Sequence, residues 1–82
     1  ATIEFTGYAA EIVRQQRWHK EQQIRETKKG ILLTIPVADD RELIMKVLQF
    51  GSQAKVISPI ELVDKLLSEI SLMAICYDTQ QS

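Results

Sequence analysis

The chain predicts an α+β domain: a small antiparallel sheet with helices packed on it. Three observations carry that expectation. Thr2–Thr6 and Ile31–Val37 alternate apolar and polar residues, the period of a half-buried strand. The stretches 40–50 and 59–77 repeat apolar residues at helical spacing. The length of 82 residues, with 45% apolar and 26% charged, suits one small globular domain.

Taken in order, the elements follow from local chemistry. Ile3 and Phe5 point to one face of the first strand (2–6), and Thr2, Glu4 and Thr6 to the other. Gly7 breaks the strand. Ala9, Ile12, Val13 and Gln16 share one face of a helix predicted over 8–17, with Arg14 and Arg17 three apart on its other flank. A polar strand (22–28) is joined to a second strand (31–37) through Lys28-Lys29-Gly30, with Gly30 expected to supply a positive φ. Ile31, Leu33, Ile35 and Val37 form that strand's apolar face, and Pro36 belongs at its end. Asp39-x-x-Glu42 opens a helix over 40–50 as a capping arrangement, and Gly51 sits at its left-handed terminus. Ala54–Ser58 reads as a short strand. Ser58-Pro59-Ile60-Glu61 is a second capping box, with Pro59 at the first position of a helix over 59–77. The polar tail Asp78–Ser82 is expected to fray.

The order strand, helix, strand, strand, helix, strand matches the split βαβ, or ferredoxin-like, pattern βαββαβ, with one extra C-terminal helix. Right-handed crossovers place both crossover helices on one face of the sheet. The other face then awaits the long last helix or a partner chain. The expected core is Ile3, Phe5, Ile12, Val13, Ile31, Leu33, Ile35, Leu43, Val47, Val56, Leu62, Leu66 and Ile70.

Charge and composition narrow the function. A net charge of −1 argues against a globally basic nucleic-acid binder. No apolar run approaches the roughly 20 residues of a membrane span. One cysteine, Cys76, leaves no internal disulfide and fits a reducing, cytoplasmic setting. Cys76 lies beside the apolar stripe of the last helix and is expected to be a buried, inert thiol. The sequence has no C-x-x-C metal loop, no four-cysteine cluster set and no glycine-rich phosphate loop. The third strand lacks the aromatics on which RNA-recognition motifs stack bases. Cys76 and His19 do not assemble a nucleophile–base pair, so no catalytic residue, metal ligand or cofactor is expected and an enzyme is not.

What remains is local. Residues 14–29 hold Arg14, Arg17, Lys20, Arg25, Lys28 and Lys29 against Glu21 and Glu26, a balance of +4. Within them, Arg17-Trp18-His19-Lys20-Glu21-Gln22 gathers cations, a stacking surface and hydrogen-bond donors. Two Arg on one helix flank are placed to fork a phosphate, so Arg14, Arg17, Trp18, His19, Lys20 and Gln22 are the candidate effector- or phosphate-binding residues. The bland readings are a solvated basic face, and a Trp18 that simply packs over the sheet edge.

These residues carry a resemblance. The chain resembles the C-terminal extension (WCX) domain of WYL-domain bacterial transcriptional regulators. The motifs are Trp18-His19-Lys20-Glu21-Gln22 (W-H-x-x-Q), Lys29-Gly30, Leu48-Gln49-Phe50-Gly51, Val56-Ile57-Ser58-Pro59, Pro59-Ile60-Glu61-Leu62 and the late Tyr77. The family often has Pro-Ser where this chain has Lys20-Glu21, and Asp-Gly where it has Lys29-Gly30. Because the chain starts at Ala1 and enters a strand at once, residues 1–82 read as a single domain cut from a longer regulator. The resemblance implies a winged helix that binds operator DNA, a WYL domain in the same chain, and this C-terminal domain, assembled as a homodimer. It also implies a nucleotide or single-stranded DNA effector, with Arg14, Arg17 and Lys20 facing phosphates. Two alternatives stand beside effector sensing: a purely structural dimerisation module, and an ACT-like small-molecule-sensing domain with a ligand loop at Gly7.

Overall fold

The computed structural model describes residues 1–36 and 39–81; for residues 79–81 only the backbone is described. The strands are β1 (Thr2–Thr6), β2 (Gln23–Glu26), β3 (Gly30–Thr34) and β4 (Ala54–Ser58). The helices are α1 (Gly7–Arg14), α2 (Asp40–Leu48) and α3 (Ile60–Gln81), with a 3-10 turn at Gly51–Gln53. The four strands form one sheet in the order β2-β3-β1-β4, and every neighbouring pair is antiparallel. The domain is thus α+β, as the periodicities predict. β1 and β4 keep their expected bounds.

Strand alternation decides which face is dry. Ile3 pairs with Leu33 and with Val56, and Phe5 with Ile31, so one face presents a continuous apolar surface. Glu4 pairs with Leu32 and Lys55, and Arg25 with Leu32, on the opposite face. All three helices bury their apolar residues in the same core: Ala9, Ala10 and Val13 from α1, Leu43 and Val47 from α2, Leu62 and Leu66 from α3. α3 therefore does not cover the second sheet face. It packs against β4 and α2.

Several expectations need correction. Ile12 is only half-buried and Ile70 is 45% exposed, while Ala9 and Ala10 take core places. Small residues let α1 approach the sheet closely, which leaves Ile12 at the rim. Cys76 is exposed, not buried. The reason is length. α3 has 22 residues, about 33 Å of helix, whereas the five-residue strands span about 17 Å. Leu66 is its last buried residue, and everything from Leu67 to Asp78 is exposed. The helix also continues through Gln81, where the polar tail predicts fraying.

The ends of the other elements differ for local reasons. Gly30 is not in the left-handed region; only Gly7 and Gly51 are. Gly30 is required by crowding, because a Cβ there would stand 2.0 Å from the Phe5 carbonyl oxygen. The turn itself is tied by Thr27, whose amide donates to the Gly30 carbonyl and whose hydroxyl accepts from the Gly30 amide. That trims β2 at Glu26. Val37, expected on the core face of β3, lies outside the described residues. Asp39 caps α2 as expected, its Oδ1 accepting from the amides of Arg41 and Glu42 at 3.0 and 3.2 Å. α3 begins at Ile60, one residue later than the capping box implies, and the Pro59 carbonyl accepts from the amides of Leu62 and Val63. Pro59 therefore precedes the helix.

The division of α3 at Leu66 can be measured. Leu62 is 1% exposed, so Leu62→Ala should destabilise the domain by about 2–5 kcal/mol. Leu72 is 58% exposed, and Leu72→Ala should change monomer stability by no more than about 0.5 kcal/mol. Urea titration of the two variants checks both.

Candidate functional site

The W-H-x-x-Q stretch is a closed loop. α1 ends at Arg14, three residues before the expected boundary, and the chain turns through Gln15 and Gln16. The Gln22 side chain then closes the loop from within. Its Oε1 accepts from the amides of Trp18 and His19, and its Nε2 donates to the Gln16 carbonyl at 3.0 Å. The Gln22 amide donates to the His19 carbonyl at 3.1 Å, and His19 Nδ1 accepts from the Glu21 amide at 3.0 Å. Backbone groups that would otherwise have no partners at the helix end are thereby satisfied.

The loop delivers Trp18 to the core. Its ring meets Phe5 edge-on at 5.4 Å and stacks on Phe50 at 6.2 Å. Phe5 and Phe50 meet edge-on at 5.6 Å, so the three rings form a closed triangle. Lys46 Nζ stands 5.1 Å from the Trp18 ring centre, and the indole N–H donates to Gln16 Oε1 at 2.9 Å. Trp18 and Gln22 are thus spent on structure. Burying a large aromatic on Phe5 outweighs one more turn of α1.

The expected arginine fork is not formed. Arg17 lies in the loop beyond α1, so the two Arg do not share a helix flank. Arg14 is bound bidentately to Glu26 of β2, Nε to Oε2 at 2.9 Å and an Nη to Oε1 at 3.0 Å. These bonds hold the Glu26 carboxyl below its ordinary range and raise the Arg14 guanidinium. Sequence spacing does not point to that pair, because twelve residues and a loop separate its members.

Other cations remain open. Arg17 and Lys20 are exposed in the loop that enters β2, Arg25 on β2, and Lys28 and Lys29 in the turn that leaves it. Among the described residues none of the five is in an ion pair. β2 is an edge strand. The structure therefore shifts the basic surface from the flank of α1 to the open edge of the sheet. Of the predicted site residues, Arg17 and Lys20 belong to this edge. Trp18, His19 and Gln22 belong to the loop behind it, and Arg14 to an ion pair.

Two hollows bear on ligand size. Trp18 and His19 line a pocket of about 150 Å³ with Ile35, Pro36, Asp39, Glu42, Leu43 and Lys46. That is below the roughly 300 Å³ at which drug-sized ligands are enclosed, and two of its groups are carboxylates, which repel phosphate. At the first strand–helix junction, Gln53 fills the space beside Gly7. Its Oε1 accepts from the Ala9 amide at 2.9 Å, and a Cβ on Gly7 would meet its Nε2 at 2.9 Å. Among the described residues no group of three or more His, Cys, Asp or Glu is gathered to hold a metal ion. No helix among them is long and apolar enough to cross a membrane.

A family model described as the WCX domain matches residues 1–74 of the chain. No curated protein matches it.

The loop and the ion pair make separate predictions. Gln22→Ala leaves two amides and a carbonyl without partners and should cost about 1–3 kcal/mol in denaturant titration. The Glu26 carboxyl, followed by NMR, should titrate below its ordinary value in the wild type and return toward it in Arg14→Gln. Its folded value being depressed, any stabilisation by this pair is present above the unfolded carboxylate pKa of about 4.3 and is lost as pH falls through the folded value. Neutral pH should leave it unchanged.

Proposed function

The chain belongs to the WCX domain family, and from that premise we propose that it is the non-enzymatic, C-terminal effector-sensing domain of a cytoplasmic WYL-family winged-helix transcriptional regulator. Its strand order and uniformly antiparallel pairing support reading the fold as a ferredoxin-like split βαβ with an added helix. The observation that carries the effector reading is the edge of β2. Five exposed cations, in no ion pair among the described residues, line that strand and its two flanking loops, with Glu21 beside them and Glu4 beside Lys29 as acids likewise in no ion pair. An extended anion, a nucleotide or single-stranded DNA, is the ligand whose charge suits an extended edge. Lys and Arg on an edge strand also deter pairing with other strands, and that alone accounts for their presence in many sheets. The effector reading needs the cations to contact phosphate.

The rest of the regulator enters as part of the same proposal. A shallow edge with no enclosed pocket binds a phosphate chain weakly, so a neighbouring WYL domain supplies the remaining contacts. Coupling to operator DNA then requires that the effector prefer one arrangement of the regulator over another. A second reading, dimerisation without an effector, draws its support from the exposed apolar length of α3.

The deciding measurement uses the full-length polypeptide that contains this domain and a short single-stranded oligonucleotide. Affinity should fall with salt, and Arg17→Ala/Lys20→Ala should flatten the slope by about 0.7 for each phosphate that the variant no longer neutralises. Arg14→Ala should leave the slope as it is, because Arg14 is engaged by Glu26. Equal affinity and equal slope in the wild type and Arg17→Ala/Lys20→Ala would remove the effector reading from this edge.

A further inference from the structure

Trp18, Ile35, Pro36 and Leu43 wall the hollow beside the W-H-x-x-Q loop, and Ile35 and Leu43 are buried. Its volume of about 150 Å³ matches an apolar cavity that admits a single benzene ring. A pyrimidine base is one six-membered ring, and a purine adds a second.

The polar groups of the hollow come mostly from one face of α2. Asp39, Glu42 and Lys46 follow at i, i+3 and i+7, with Leu43 on the same face. Asp39 Oδ1 is spent on the amides of Arg41 and Glu42. The Glu42 carboxylate is not spent. A complete capping box would return it to the Asp39 amide, yet among the described residues the Glu42 side chain makes no hydrogen bond and no ion pair, not even with Lys46 one turn away. Lys46 Nζ is turned to the Trp18 ring, 5.1 Å from its centre. His19 lines the same hollow. Its Nδ1 accepts from the Glu21 amide, so the neutral ring carries its proton on Nε2. An unspent carboxylate thus stands beside two donors.

We propose that this hollow takes a cytosine base of an oligonucleotide whose phosphates lie along the β2 edge. The proposal rests on the effector reading given above and adds base selection to it. Cytosine presents an amino donor, N4, beside two acceptors, N3 and O2. The Glu42 carboxylate accepts from N4, and Lys46 donates to N3 or O2. Thymine presents O4 in place of N4, which sets an acceptor against a carboxylate, and it adds a methyl group. Adenine and guanine also carry amino groups, but on two-ring bases that the hollow does not accommodate. Charge fixes the orientation. The carboxylates keep phosphate out of the hollow, and Arg17 and Lys20, the exposed neighbours of Trp18 and His19 in the chain, meet it outside. A carboxylate in the first turn of a helix is stabilising with no ligand at all. That role predicts no preference among bases.

The test measures binding of short oligo(dC) and oligo(dT) to the full-length polypeptide that contains this domain, at neutral pH and two salt concentrations. The wild type should bind oligo(dC) about tenfold more tightly, the discrimination of one base-edge contact. Glu42→Gln, whose amide meets N4 or O4 equally well, should bring the ratio to about one and leave the salt slope unchanged, because Glu42 contacts no phosphate. Lys46→Met should also lower the ratio. Arg17→Ala/Lys20→Ala should weaken both probes and keep it. Equal affinity of the wild type for the two probes, with the salt dependence intact, overturns base selection and leaves the effector reading standing. A preference for oligo(dC) that persists in Glu42→Gln does the same. Failure of the wild type to bind either probe overturns both.

Discussion

Phe5 is the residue on which most of the architecture converges. It is fully buried on the central strand β1, and its ring is held edge-on by both Trp18 and Phe50. Its carbonyl lies so close to Gly30 that no side chain fits there. Through these contacts one position ties together the loop after α1, the end of α2 and the start of β3. Each edge-to-face ring pair contributes about 0.5–1.5 kcal/mol beyond the area it buries. In a chain with only five aromatic residues, three are committed to this triangle. The loop from Gln16 to Gln22 exists in its observed form because Trp18 must reach Phe5, and Gln22 satisfies the backbone groups that the detour leaves over.

That constraint explains which parts of the fold are legible in the sequence. β1 and β4 keep their predicted bounds because alternation and turn residues are local signals. Asp39 as the cap of α2 is legible for the same reason. The end of α1 is not, since nothing between Gln15 and Arg17 is a poor helix former; a contact with Phe5, far along the chain, decides it. Gly30 is legible as a required glycine, but crowding and not a positive φ requires it. A turn glycine and a crowded glycine look alike until the register of β1 and β3 is known. Cys76 and Ile70 look like core residues because helical periodicity reports a face and says nothing about where the supporting sheet ends.

The candidate site is legible as a segment but not as an arrangement. The excess of cations between residues 14 and 29 is a property of the sequence, and it survives in the structure. Its distribution does not. Glu26 removes Arg14 from the set, and the early end of α1 separates Arg17 from it. Trp18 and Gln22 carry the family resemblance, yet their contacts are internal. The two named positions of the motif therefore mark the fold, while Lys20 between them stays exposed. Arg25, Lys28 and Lys29 count only as charge in the sequence; the sheet order turns them into an edge.

Sheet order also fixes how the two exposed surfaces relate. β2 is one edge of the sheet and β4 the other, and α3 packs against β4. Three inter-strand spacings, about 14 Å, separate the two edges. The core that α1, α2 and α3 share lies between them, and Phe5 with its two aromatic neighbours packs within it. The same triangle ties the loop that carries Arg17 and Lys20 to Phe50 at the end of α2, and α2 in turn packs against α3.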